Sequence, residues 1–232
     1  MVTKELFSCH NFEATDGFSL PYRAVVPKGE GPFPLLLCLH GAGERGDDNE
    51  AQVDYFLPLL DSNSPALQAV TIIPQCPTNM RWVETDWEKG SYLSQNAPKS
   101  PALLAVEELL THLCTTLPID PDRIYVTGLS MGGFATWRLL ADHPDVFAAG
   151  LPLCGGGPLD KAEVLSHIPI HAFHCADDPI VPVSASRAII EAVQAVAGNR
   201  TRYTEFPLGG HAVWVPVYDD STNITWLFSQ KK

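Results

Sequence analysis

The stretch RIYVTGLSMGGFATWRLLAD, residues 123–142, decides the fold. Its opening, Arg123–Thr127, is rich in β-branched and aromatic residues and reads as a buried strand. Gly132–Asp142 reads as a helix. Between them stands Gly128-Leu129-Ser130-Met131-Gly132, the pattern G-x-S-x-G in the strand–turn–helix setting that gives it meaning. A strand that turns sharply into a helix holds the serine in a strained backbone conformation. Side chains at 128 and 132 would collide there, so both are glycine. The turn lifts the Ser130 hydroxyl above the sheet, at the positive end of a helix. Ser130 is therefore the candidate nucleophile.

Outward from this turn, short apolar runs alternate with helical patterns. Leu35–Leu39, Val70–Ile73, Ala148–Cys154, Ile170–Cys175 and Arg202–Phe206 read as further strands. Gln52–Leu60, Pro101–Thr116, Ser184–Ala197 and Val213–Phe228 read as helices. In the second of these, Leu103, Val106, Leu110 and Leu113 form an amphipathic stripe, with Ser100 as N-cap and Pro101 at the first helical position. The alternation predicts parallel βαβ units with right-handed crossovers. Leu6–Cys9 and Phe18–Val26 read as two strands of an antiparallel edge. The fold class is α/β: one domain over residues 1–232, a mostly parallel central sheet with helices on both faces, and no large lid. Gln75–Lys99 is a long irregular connection rich in Trp, Pro and Asn, of the kind that is often functional.

The chain has 232 residues, one domain's worth rather than two. Its net charge of −12 repels phosphate backbones and anionic lipid, so nucleic acid and membrane are excluded as expected partners. Six dispersed cysteines form no C-x-x-C pair and suit a reducing compartment better than a disulfide framework. The first residues, MVTKELFSCHNF, contain no apolar leader core, and no apolar run reaches 18 residues. The expected location is cytoplasmic.

A serine nucleophile needs a base and a group to orient it, and in such sheets the chain order is serine, acid, histidine. His174 precedes the acid candidates. His211, in the turn Gly209-Gly210-His211 after the last strand, is the expected base. The acid falls in Asp177-Asp178-Pro179, after the preceding strand. The residues alone leave both aspartates open, with Pro179 biasing Asp178 toward an extended conformation. His40-Gly41-Ala42-Gly43 follows Leu35–Leu39, where backbone N–H groups of Ala42 and Met131 can form an oxyanion hole. Gly41 lets that loop approach a substrate, and His40 is expected to hold it by a hydrogen bond. Glu44, Asp47, Asp48 and Glu50 lack calcium-loop spacing and read as a solvated acidic loop. No metal and no organic cofactor are expected. Trp82, Trp87 and Trp214 are candidate apolar walls or sugar-stacking surfaces.

From about Tyr22 to Leu227 the chain resembles an α/β-hydrolase-superfamily esterase. The nearer likeness is to the small lidless branch that includes polyhydroxybutyrate-depolymerase-like, feruloyl and acetyl-xylan esterases. The stretches that carry it are VVPKG at 25–29, LLLCLHGAGERGDDN at 35–49, IIPQCP at 72–77, GLSMGGFATW at 128–137, CADDPIVPV at 175–183 and GGHAVW at 209–214. The resemblance implies Asp178 as the acid, through the register of Pro179, Val181 and Pro182. It implies Ser130 and His211 as nucleophile and base, and Ala42 and Met131 as oxyanion donors. Cys175 stands where relatives often have glycine. The implied function is hydrolysis of short-acyl or hydroxycinnamoyl esters on a small-molecule or oligosaccharide substrate. A lysophospholipase or acyl-thioesterase, a peptidase, and a binding protein of the same fold with little turnover are the alternatives.

Overall fold

The computed structural model describes residues 3–61 and 64–232. Eight strands form one sheet: β1 (Ser8–Glu13), β2 (Ser19–Val25), β3 (Phe33–Leu39), β4 (Val70–Pro74), β5 (Ile119–Leu129), β6 (Ala149–Leu153), β7 (Ile170–Cys175) and β8 (Thr201–Phe206). Their spatial order is β1-β2-β4-β3-β5-β6-β7-β8. β3 to β8 run parallel, while β2 pairs antiparallel with both β1 and β4. The helices are α1 (Pro101–Thr116), α2 (Met131–Asp142), α3 (Ala162–Ser166), α4 (Ser184–Gln194), α5 (Trp214–Asp219) and α6 (Ser221–Phe228). This is the α/β-hydrolase architecture.

β3 is buried at every position but its first, and its alternating side chains divide the core. Leu35, Leu37 and Leu39 face one apolar cluster with Ile124 and Val126 of β5, built against α1, α2 and α4. Leu36 and Cys38 face the other with Tyr125 and Leu129, built against the 51–60 segment, α5 and α6. Side chains on successive strand residues point to opposite faces, so a strand covered on both sides must be apolar throughout. The N-cap of α1 is as its sequence indicates: the Ser100 hydroxyl accepts the Leu103 N–H at 3.2 Å.

Three expectations are corrected. The first strand begins at Ser8, because Leu6 closes a 3₁₀ turn over Lys4–Leu6 and is exposed. Ala51–Leu60 winds as a 3₁₀ helix rather than an α-helix. Pro58 within it has no N–H to donate and its ring opposes the α-helical spacing. The expected helix over 213–228 is two helices, because the Asp220 side chain accepts the Thr222 N–H at 2.9 Å and caps a new start. Short α3 carried no distinct signal. Among the described residues, no helix is long and apolar enough to cross a membrane, and the six cysteines are free thiols.

Candidate active site

Ser130 sits between β5 and α2 with φ +53° and ψ −118°, a region that L-residues rarely occupy. The surroundings enforce it. A Cβ on Gly132 would stand 2.5 Å from the Leu39 carbonyl carbon and 2.8 Å from the His40 carbonyl oxygen, with the Leu39 oxygen nearer still. A Cβ on Gly128 would reach 2.6 Å from the Gly132 carbonyl carbon. The Ser130 N–H donates to the Leu153 carbonyl of β6 at 3.0 Å, which ties the turn to the sheet.

His211 and Asp178 reach this serine from two other loops at the same edge of the sheet. His211 Nε2 lies 2.9 Å from Ser130 Oγ. His211 Nδ1 lies 2.7 Å from Asp178 Oδ2. With Nδ1–H donating to the carboxylate, Nε2 is the acceptor for the serine hydroxyl. Asp178 Oδ1 accepts the N–H groups of Ile180 at 2.8 Å and Val181 at 3.0 Å. The Asp178 side chain is fully buried, while 20% of His211 remains exposed. Burial alone would raise the Asp178 carboxyl. Hydrogen bonds from His174, His211 and the two backbone N–H groups outweigh it and hold the carboxyl well below the ordinary range.

The neighbouring Asp177 stands exposed in the turn after β7. Its carboxylate accepts the N–H groups of Gly209 at 3.2 Å and Gly210 at 2.8 Å. It therefore pins the loop that carries His211. Cys175 lies under the same loop, 2.8 Å from where a Gly209 Cβ would be.

The loop after β3 lies against the serine. A Cβ on Gly41 would stand 3.5 Å from Ser130 Cβ. Ala42 begins a 3₁₀ turn there, and Met131 is the first residue of α2. Buried His40 anchors the loop. Its Nε2 accepts the Cys76 N–H at 2.9 Å, so its Nδ1–H donates to the Gly41 carbonyl at 2.6 Å. Arg45 Nε donates to the Ala42 carbonyl at 2.8 Å.

Trp82 closes this anchor from beneath, its Nε1–H donating to the His40 carbonyl at 3.1 Å. It is fully buried. Its expected place as a substrate wall is therefore corrected: its ring is core, and no face meets solvent. Trp87 is covered by the Arg81 guanidinium, 4.1 Å from its ring centre. Trp214 does stand at the site, edge-on to His211 with ring centres 5.4 Å apart and against Tyr55 at 5.3 Å. Tyr55, which no sequence signal marked, is partly exposed beside it. A cavity of about 980 Å³ along α1 is lined by Phe12, Leu104 and Leu110 among others and includes none of these site residues.

Among the described residues, one group has metal-ligand types close together: Cys154, Asp178 and His211, with donor atoms within 4.8 Å. Asp178 and His211 are bonded to each other, and burial drives the Cys154 thiol far up, so it keeps its proton. The set is poorly suited to a cation. The 44–50 loop offers no common centre either. Asp48 Oδ1 is occupied by the Glu50 and Ala51 N–H groups and the Gln75 amide. Chemically, a buried carboxylate, an oriented imidazole and a strained serine in line let the imidazole take the serine proton as the oxygen attacks, with the carboxylate stabilising the imidazolium.

Residues 20–223 match the family model described as phospholipase/carboxylesterase. Over 146 residues the chain is 43% identical to a poly(3-hydroxyalkanoate) depolymerase C of Paucimonas lemoignei, covering 63% of this chain and 33% of that protein. It is 24% identical over 155 residues to a feruloyl esterase B of Talaromyces funiculosus, covering 67% of this chain and 41% of the relative. A thermostable esterase of solved structure superimposes with a TM-score of 0.89 at 36% identity, covering 98% of this chain and 64% of that one. The chain thus spans less than two thirds of the length of each of these proteins.

Proposed function

The chain belongs to the phospholipase/carboxylesterase family, and from that premise we propose that it is a serine esterase. The reading rests on one observation, the line Ser130 Oγ–His211 Nε2 at 2.9 Å and His211 Nδ1–Asp178 Oδ2 at 2.7 Å. In this scheme Ser130 Oγ attacks the ester carbonyl and its proton passes to His211 Nε2. Asp178 orients the imidazole and stabilises the imidazolium. The N–H groups of Ala42 and Met131 receive the developing oxyanion. His211 then returns the proton to the departing alcohol. Water, deprotonated in its turn by His211, attacks the acyl-enzyme; the acyl–Oγ bond breaks, His211 returns the proton to Ser130 Oγ, and the acid is released. Every proton is handled by the protein's own residues.

The substrate class we assign is a short-acyl or hydroxycinnamoyl ester, with a carbohydrate as the alcohol. Likeness to a polyester depolymerase and a feruloyl esterase supports this, as does the partly exposed ring of Tyr55, which packs against Trp214 beside His211 and offers an apolar contact for an acyl group or sugar ring. A panel of esters from acetyl to decanoyl, with feruloyl, tests it. kcat/KM is expected to stay flat or fall beyond butyryl, each methylene contributing well below the ~0.8 kcal/mol of full burial. A steady rise through decanoyl would replace this substrate class with lipid esters.

A further inference from the structure

His174 is a histidine for which the scheme above has no task. It is the penultimate residue of β7, is fully buried, and lies against the same Asp178 oxygen as His211. Its Nε2 is 3.0 Å from the Val181 carbonyl and 3.2 Å from Asp178 Oδ2. Both neighbours are acceptors, so Nε2 carries a proton and is shared between them. Asp178 Oδ2 is thus approached by two imidazoles, at 2.7 Å from His211 and 3.2 Å from His174.

The other edge of His174 is equally fixed. Nδ1 lies 2.7 Å from Ser186 Oγ on α4, and Ser186 Oγ lies 2.9 Å from the Gly155 carbonyl. Gly155 in turn packs on α2: a Cβ there would be 2.6 Å from the Gly133 carbonyl carbon and from the Phe134 N. A continuous line of buried contacts therefore runs from the loop bearing the acid, through His174 and Ser186, to the first turn of the helix that follows Ser130. Val181 belongs to the loop that wraps Asp178, since its N–H donates to Asp178 Oδ1. One imidazole thus grips that loop by its carbonyl and faces its carboxylate.

We propose that His174 is a positioning residue for the reaction, holding the Asp178 carboxylate in the orientation that His211 requires. It touches no substrate and acts only through Asp178. The proposal deepens the esterase reading and rests on it. A buried carboxylate with one partner can rotate about its terminal torsion. With a second donor facing the same oxygen, and two backbone N–H groups on the other, rotation would strand a polar atom. Asp178 accordingly stays ionised in a place where burial by itself would favour the neutral acid.

Two substitutions separate this role from simple packing. In His174→Gln the amide nitrogen reaches the place of Nε2 and can still donate to Val181 and Asp178. In His174→Asn the shorter amide reaches only as far as Nδ1, keeping Ser186 and losing Asp178. The expected result is a kcat/KM for an aryl acetate lowered about 10–100-fold in H174N, with H174Q recovering most of the loss. Thermal melts should place the two variants near each other. The decisive arm is a cycle with Asp178→Asn. Since His174 acts through that carboxylate, H174N should slow the Asp178→Asn enzyme no further. Should H174N not fold, Ser186→Ala takes its place in the same cycle, because it frees the imidazole to turn away. Equal losses in H174N and H174Q, full activity in a folded H174N or S186A, or a loss that adds to that of Asp178→Asn would each overturn the proposal. If Asp178→Asn itself leaves turnover intact, it is the triad reading that fails.

Discussion

Gly132→Ala puts the steric argument for the serine turn at risk. The added Cβ would stand 2.5 Å from the Leu39 carbonyl carbon and 2.8 Å from the His40 oxygen. Carbon atoms in good contact are about 3.5–4.0 Å apart, so β3 and the turn must separate by roughly 1 Å. Leu39 is fully buried and paired with Gly128 of β5, so the end of β3 has nowhere to move without breaking its ladder. Overpacking of this kind costs about 1–3 kcal/mol, and more where backbone must shift. For a chain of this length that lowers Tm by roughly 2–12 °C. The displacement falls on the two features the chemistry needs, the Ser130–His211 contact at 2.9 Å and the loop at Gly41 and Ala42. Turnover should fall by about 100-fold or more even where the protein folds. Gly43→Ala is the control, because a Cβ there meets nothing within 4 Å. Circular-dichroism melts and aryl-ester turnover read both effects. A Gly132→Ala protein with unchanged Tm and unchanged turnover would refute the reasoning.

Asp178→Asn should lower kcat by about 10²–10⁴-fold through loss of imidazole orientation, whereas Asp177→Asn, which keeps one acceptor for the Gly209–Gly210 loop, should stay within about tenfold; steady-state kinetics on the pair decides, and the reverse order would reassign the acid. His40 governs acid stability. Burial, opposed by its bond to Gly41 and aided by the Arg45 charge, pulls its pKa down to about 4. Unfolded histidine titrates near 6.5, so between about pH 6.5 and 4 the unfolded chain binds the extra proton. The contribution is fully present above about 6.5 and drains as pH falls toward 4, at up to about 1.4 kcal/mol per unit. Urea midpoints across that window should show a shallower slope in His40→Gln than in the native chain, and identical slopes would count against the assignment.

What could be read in advance was what local rules determine. The strand–turn–helix at 123–142 follows from steric exclusion at two glycines, and the N-terminus of α1 from Ser100 and Pro101 next to an apolar stripe. β3 was legible because a strand covered on both faces must be apolar throughout. The misreadings share a different cause. Trp82 and Trp214 are both aromatic residues near loops; the path of 75–99 turns the Trp82 ring into the core, whereas Trp214 opens α5 and meets His211. That Asp177 also holds the His211 loop was not legible, because its partners, Gly209 and Gly210, lie more than thirty positions away. His174 was set aside by chain order, which bears on which histidine takes the serine's proton and not on which one holds the acid. Pro58 was a visible signal against an α-helix over 52–60.

The central claim is that Ser130 is the nucleophile. Labelling with a fluorophosphonate, followed by peptide mass spectrometry and repeated on Ser130→Ala, tests it most directly. The account predicts one adduct, on the peptide carrying Ser130, and a folded Ser130→Ala protein that takes up no label and loses ~10³-fold or more in turnover. An adduct elsewhere, or labelling and turnover that persist in Ser130→Ala, would contradict it.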